Sequence, residues 1–267
     1  MFKGVRPVAL FEVRHVTISF GGLVALHELD MKVEDGEIVG IIGPNGAGKT
    51  TLFNVVSGFN KPNSGEILMS GKNVLKLQQH EVAEAGIGRT FQNVDLFKHL
   101  TVRENLLIGQ HRTMDSGFIG AVLRTKRYKD EEKRIQQRAE EICRYLGVRE
   151  IMDMLVIELP LGTQKMVELG RALVSDHKLL LLDEPVAGMS PPEVKHLSEV
   201  IRHIRGELKI TVLLIEHHMG LVMTICDRIY VLNFGKKIAE GTPEQVRNNE
   251  NVIHAYLGRR DSGAIKT

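Results

Sequence analysis

Apolar and polar residues alternate over residues 8–20, with a break expected at Arg14-His15. Gly21-Gly22 then turns the chain into a second strand over 26–33, closed by the turn signal Glu34-Asp35-Gly36. Three short runs, 37–42, 178–182 and 210–215, are apolar at almost every position. Runs of that length predict strands buried on both faces of a sheet. Further strands are expected at 66–69, after the turn Asn63-Ser64-Gly65, and at 228–232 and 237–239 around Asn233-Phe234-Gly235. Helical spacing fills the intervals. It predicts helices over 51–56, stopped near Gly58, over 80–85, stopped by Gly86, and over 101–107, opened by the capping box Thr101…Glu104. Asp130-Glu131-Glu132 opens a longer helix whose Ile135, Ala139, Ile142, Cys143 and Leu146 share one face, up to Gly147. Others are expected over 164–174, 191–205 and 221–225, and from Pro243 and Val252. Buried strands alternating with helices predict a mostly parallel α/β sheet behind a β-rich N-terminal part. Residues 110–155 form the core of a helical subdomain in this reading, and 259–267 a frayed tail.

Composition adds limits. The chain has 267 residues, 43% hydrophobic and 25% charged, with a net charge of +2. That balance gives no electrostatic case for nucleic acid. No apolar run approaches the roughly 20 residues of a membrane span, and no signal peptide is expected. Two cysteines, Cys143 and Cys226, make no disulfide framework and read as packing. A cytoplasmic location is expected. The basic run Arg124, Lys126, Arg127 and Lys129 reads as a solvated helix entry, with a membrane-facing patch as the sharper alternative.

Gly43-Pro44-Asn45-Gly46-Ala47-Gly48-Lys49-Thr50 fits G-x-x-x-x-G-K-[ST] at every fixed position, between an expected strand and an expected helix. The glycines let the backbone turn its N–H groups inward, and the helix N-terminus adds partial positive charge. Lys49 is expected on the outer phosphates of a nucleotide and the Thr50 hydroxyl on Mg²⁺. A second constellation follows the buried strands. Residues 179–182 deliver Asp183 to the sheet's carboxyl edge, where an Asp holds Mg²⁺; Glu184 next to it is placed to orient or deprotonate the attacking water. His217, after the strand 210–215, reaches the same edge and is expected to contact the γ-phosphate or the water, whereas His218 should face away.

These residues, in the order Gly43 to Thr50, Gln92, Leu159 to Gln164, Leu179 to Glu184 and His217, resemble an ABC transporter ATP-binding subunit over nearly the whole chain. The resemblance implies an α/β P-loop NTPase fold with a mostly parallel core sheet, an N-terminal antiparallel β-subdomain and a helical subdomain. It implies a single ATPase domain over 1–258, with the helical part inserted at about 93–177. ATP and Mg²⁺ are the implied ligands. Phe20 is the implied adenine platform, and Gly43, Pro44, Asn45, Gly46, Ala47, Gly48, Lys49, Thr50 and Thr51 the phosphate cradle. Gln92 is implied to join Thr50 and Asp183 at the metal and to link them to a transmembrane partner. Glu184, His217, Gln92 and Lys49 are the implied catalytic set.

The signature of the family runs L-S-G-G-Q. Here Leu159 and Gly162 match, while Pro160, Leu161 and Thr163 depart. Leu159, Gly162 and Gln164 are the residues expected to meet nucleotide held by a second subunit, with weakened binding because Pro160 lacks a hydroxyl. The stretches Phe20 to Leu26, Gly88 to Asn93, the extended stretch 110–130, Gly241 to Asn249 and Ala255 to Gly258 are most similar to the larger of the paired branched-chain amino-acid importer ATPases. Urea and lipopolysaccharide exporter ATPases share parts of the pattern. The implied partners are transmembrane permease subunits, a second copy or paralogue, and indirectly an extracytoplasmic solute-binding protein, with no nucleic acid. The implied location is the cytoplasmic face of the inner membrane. Rival readings are a soluble ABC ATPase acting on ribosomes or DNA, which usually carries two cassettes or long coiled coils, and a P-loop kinase, which needs neither the 159–164 stretch nor His217.

Overall fold

The computed structural model describes residues 9–90, 94–109 and 126–257, leaving aside the side chains of 126–129, 131 and 257. The described chain opens with β1 (Phe11–Phe20), β2 (Leu23–Val33) and β3 (Ile38–Ile42), then α1 (Lys49–Val56). β4 (Ser64–Met69), β5 (Lys72–Asn73), α2 (Gln79–Glu84) and β6 (Ile87–Arg89) follow. Next come α3 (Val102–Gly109), α4 (Lys126–Tyr145), two 3₁₀ turns, α5 (Leu161–Leu173), β7 (Leu179–Asp183) and α6 (Pro191–Gly206). β8 (Thr211–Ile215), α7 (Met219–Ile225), β9 (Arg228–Asn233), β10 (Lys236–Gly241), α8 (Pro243–Arg247) and α9 (Glu250–Leu257) complete it.

Two compact units emerge. The first joins Met1–Ile87, Lys178–Glu184 and Ile201–Thr267; the second joins Gly88–His177 and Pro185–Val200. One antiparallel sheet has the order β2-β1-β4-β5, and a six-stranded sheet the order β10-β9-β3-β8-β7-β6. Strands β9, β3, β8 and β7 are parallel, and β10 returns antiparallel along β9. Every residue of β3, β7 and β8 is buried, as continuous apolar runs require. Phe11, Leu26, Phe53, Leu181, Leu213 and Tyr230 belong to one core cluster. Tyr230 in β9 fixes β2 as well: its hydroxyl donates to the Lys32 carbonyl and accepts from the Lys32 amide, both at 3.0 Å.

Three local outcomes differ from the sequence pattern. The break expected at Arg14-His15 is a bulge inside one long strand. Register shifts between Val13 and Val16, His15 turns to φ 49°, and its amide donates to Asp30 Oδ1 at 3.0 Å. A side-chain acceptor on the neighbouring strand thus replaces the lost ladder partner. α4 is already helical at Lys126, ahead of Asp130. α5 begins at Leu161, three residues before the expected start. Pro160, at φ −58°, stands at its N-cap and its carbonyl accepts from the Gln164 amide at 2.9 Å. No side chain caps this end, so the usual polar signal was absent from the sequence.

In the second unit, α3 opens on the expected capping box: the Thr101 amide donates to Glu104 Oε2 at 2.8 Å, and the Glu104 amide to Thr101 Oγ1 at 3.2 Å. Ile135, Ala139, Ile142, Cys143 and Leu146 are all buried, as the spacing predicted. The stretch 110–125 and the tail 259–267 lie outside the described residues.

Candidate nucleotide site

β3 ends at Ile42 and the phosphate loop begins at Gly43, a φ of 151° that L side chains avoid. Gly48 closes the loop at φ 100° and caps α1. A Cβ on Gly48 would lie 2.5 Å from the Ala25 carbonyl oxygen, so only glycine fits there. α1 starts at Lys49, and its first intrahelical bond runs from the Leu52 amide to the Gly48 carbonyl at 2.9 Å. The amides of Lys49, Thr50 and Thr51 therefore precede the helix's own bonding pattern, which makes this end an anion site. No acidic residue occupies the first turn to compete. The Lys49 ammonium, itself buried, donates to the carbonyls of Gly43 at 2.7 Å and Pro44 at 3.1 Å, spanning the loop's entry.

Neighbouring elements hold the loop from outside. The Gly235 amide donates to the Ala47 carbonyl at 3.0 Å, and the Gly235 carbonyl accepts from the His27 amide at 2.9 Å. The β9–β10 turn is thus pinned between loop and β2. Tyr256, on α9, stands near the Gly43 backbone, and burial raises its pKa. Phe20, at the β1–β2 hairpin, is 49% exposed. With Ala25 against Gly48, that hairpin stands beside the loop and leaves the ring open to a planar ligand.

The parallel register carries acids to the same edge. Asp183 ends β7 opposite Ile215, the end of β8, and is buried at 2% exposure. Glu184 follows at φ 48°, its amide donating to the Ile215 carbonyl at 2.9 Å. Its Oε1 lies 3.6 Å from Nδ1 of His217. Glu216, which the sequence reading passed over, organises this corner. Its buried carboxylate accepts from the amides of both His217 and His218 at 2.9 Å. His218 is exposed as expected, and it also caps α7 through Nδ1, which accepts from the Leu221 amide at 3.1 Å.

A hard divalent cation favours oxygen donors. The Asp183 carboxylate at the sheet edge and the Thr50 hydroxyl in the first turn of α1 supply that chemistry within one unit. Gln92, expected to join them, lies outside the described residues.

In the second unit, the stretch matching the signature sits at the start of α5. The Gln164 side-chain amide donates to the Leu159 carbonyl at 2.8 Å, and Leu161 is 48% exposed. Gly162 is buried beneath Glu193, whose carboxylate oxygen occupies the space a Cβ would need. Two hydrogen bonds from Ser190 hold that carboxyl below the usual range. Glu193 was not singled out from the sequence, since an acid in a helix's first turn is ordinary there.

Comparison with known proteins agrees with this geometry. A family model described as "ABC transporter" matches residues 26–187, and one described as "Branched-chain amino acid ATP-binding cassette transporter" matches residues 236–262. The chain is 42% identical over 253 residues to the high-affinity branched-chain amino acid transport ATP-binding protein BraF of Pseudomonas aeruginosa, covering 95% of this chain and 98% of that one. It is 43% identical over 249 residues to LivG of Escherichia coli, which carries the same description, covering 93% and 98%. It is 34% identical over 253 residues to the lipopolysaccharide export system ATP-binding protein LptB of Haemophilus influenzae, covering 95% and 99%. A crystal structure of a nucleotide-free ATP-binding cassette from an ABC transporter superposes with a TM-score of 0.82 at 32% identity, covering 94% of this chain and 100% of that one. With its phosphate loop, paired sheet-edge acids and histidine in one unit, this chain belongs to the ABC transporter ATP-binding family.

Proposed function

We propose that this protein is the ATP-hydrolysing subunit of an ABC importer for branched-chain amino acids. The observation that carries the reading is the convergence of Lys49, Asp183, Glu184 and His217 on one unit, with Glu184 and His217 only 3.6 Å apart. Similarity to BraF and LivG and the match over residues 236–262 support the cargo.

In this reading the amides of Lys49, Thr50 and Thr51 and the Lys49 ammonium hold the triphosphate, while Phe20 stacks on the adenine. Asp183 and Thr50 hold Mg²⁺, which neutralises phosphate charge when bound; Gln92 is assigned to the same shell. Glu184 accepts a proton from the attacking water, and His217 hydrogen-bonds the γ-phosphate and keeps the carboxylate aligned. Leu159, Gly162 and Gln164 of one copy face nucleotide held by a second copy or a paralogue. Closure of such a dimer pulls on transmembrane permease subunits at the cytoplasmic face of the membrane, and hydrolysis resets it.

The test is reconstitution in proteoliposomes with its permease and solute-binding partners. Leucine uptake should require ATP and vanish with Glu184→Gln. ATP hydrolysis stimulated by lipopolysaccharide rather than by a leucine-loaded binding protein would overturn the cargo assignment and favour the function named for LptB.

A further inference from the structure

Behind the phosphate loop lies a cavity of about 650 Å³, formed by the end of β3 and by α7, α8 and α9. Ile42, Met223, Val246, Val252 and Tyr256 line it, and none of them is assigned a contact with nucleotide. Its volume and apolar walls fall in the range of small-molecule sites. Two of its lining residues, Ile253 at 42% and Tyr256 at 36%, expose large apolar surface that folding alone would hide. Met219 and Met223 give the wall an adaptable surface.

Its charge is one-sided. Among the described residues the lining includes one basic residue, Arg247, and no acidic one. An anionic head has a fork of donors there. An ammonium group would be desolvated without an opposite charge, which is costly. The chemistry therefore selects an apolar body carrying one acid and no amine, and it discriminates against a free amino acid. We infer that this cavity binds an aliphatic monocarboxylate, its chain along Ile42, Met223, Val246 and Val252 and its carboxylate on Arg247.

Occupancy bears on the nucleotide site by a short route. Ile42 immediately precedes Gly43, and Tyr256 both lines the cavity and stands near the Gly43 backbone. A ligand that shifts the Tyr256 ring changes the entry of the phosphate loop, so it changes the KM for ATP. This inference does not depend on what the transporter carries.

The experiment is calorimetric titration of the full-length protein with decanoate, below its aggregation concentration, with decanol and leucine in parallel. Decanoate is expected to bind with one-to-one stoichiometry, decanol at least about tenfold more weakly for want of a charge-assisted contact, and leucine not at all. Arg247→Gln, an exposed position, should cost decanoate a similar factor. Val252→Trp, which fills the cavity, should abolish binding while ATP still binds. Decanoate should shift the ATP KM of the parent protein and leave that of Tyr256→Phe unmoved. Equal binding of decanoate and decanol, undiminished binding to Arg247→Gln, or binding seen only after residues 259–267 are deleted would each overturn the assignment; the last would mean that the chain's own end fills the cavity.

Discussion

The Glu184 carboxylate stands 3.6 Å from Nδ1 of His217, and the backbone sets that spacing. Asp183 and Ile215 are partners in the parallel ladder, so the residues that follow them leave the sheet side by side. Glu184 holds φ 48°, a region that costs a non-glycine residue about 1–3 kcal/mol. Glu184→Gln keeps the shape and removes the proposed base. Turnover should fall about 10²-fold or more with ATP affinity retained. Steady-state hydrolysis beside nucleotide titration checks this; wild-type turnover would remove Glu184 from the proposed role.

Glu216 acts on His217 without approaching substrate. Its buried carboxylate takes the amides of His217 and His218, and Glu216→Ala would strip both donors of that acceptor. The expected loss is about 2–4 kcal/mol of stability, from two charge-assisted bonds partly compensated by water. Glu216→Gln should recover part of it, because one amide oxygen still accepts. Chemical denaturation of the three proteins gives the ranking.

Pro160 leaves the start of α5 without a side-chain cap. Pro160→Ser supplies an N-cap hydroxyl, worth about 0.5–2 kcal/mol to the helix, and frees a backbone donor. ATP-dependent self-association of the Glu184→Gln background should strengthen. Sedimentation with and without ATP decides it: equal association of the proline and serine forms would show that the hydroxyl is not limiting.

Phe234 occupies the first position of a two-residue hairpin at φ 44°, followed by Gly235 at φ 76°, and is 77% exposed. This is the type I′ geometry that favours Asn-Gly. Phe234→Asn should raise the melting temperature by a few degrees, about 0.5–1 kcal/mol. A loss of stability would mean that the ring makes packing contacts its exposure conceals.

Both thiols are protected. Burial pushes Cys143 up to about 11 and Cys226 up to about 12. The folded state holds these protons more tightly than the unfolded chain, whose thiols ionise near 9.0. The thiol contribution to stability is therefore whole below about pH 9 and declines as pH rises through the folded values. Native protein should react slowly with a thiol reagent at pH 8, and both cysteines should react in denaturant. Fast labelling of the native form would contradict their burial.

Local chemistry made much of the site readable. The phosphate loop lies inside one octapeptide, and an apolar run ending in Asp-Glu or in Glu-His-His announces a strand that delivers them. What stayed hidden depends on partners far along the chain. Glu193 matters because it covers Gly162, Tyr256 because it reaches Gly43, and Asp30 because it rescues the bulge at His15. None of these pairings has a periodicity. The start of α5 was missed for a different reason: proline fixes the entry angle by its ring and leaves no polar signature.

The position of β3 has a consequence for biosynthesis. This strand carries the phosphate loop, yet both its neighbours, β8 and β9, are made from the last quarter of the chain. Until the ribosome has released residues beyond 233, a strand with every side chain apolar has two open edges, and the loop after it lacks Gly235 as a brace. Contacts this distant in sequence form slowly. A growing chain should therefore be unable to retain ATP and be prone to capture by chaperones until β8, β9 and Gly235 have been made. Truncations ending between β8 and β9 should aggregate rather than yield a smaller nucleotide-binding fragment.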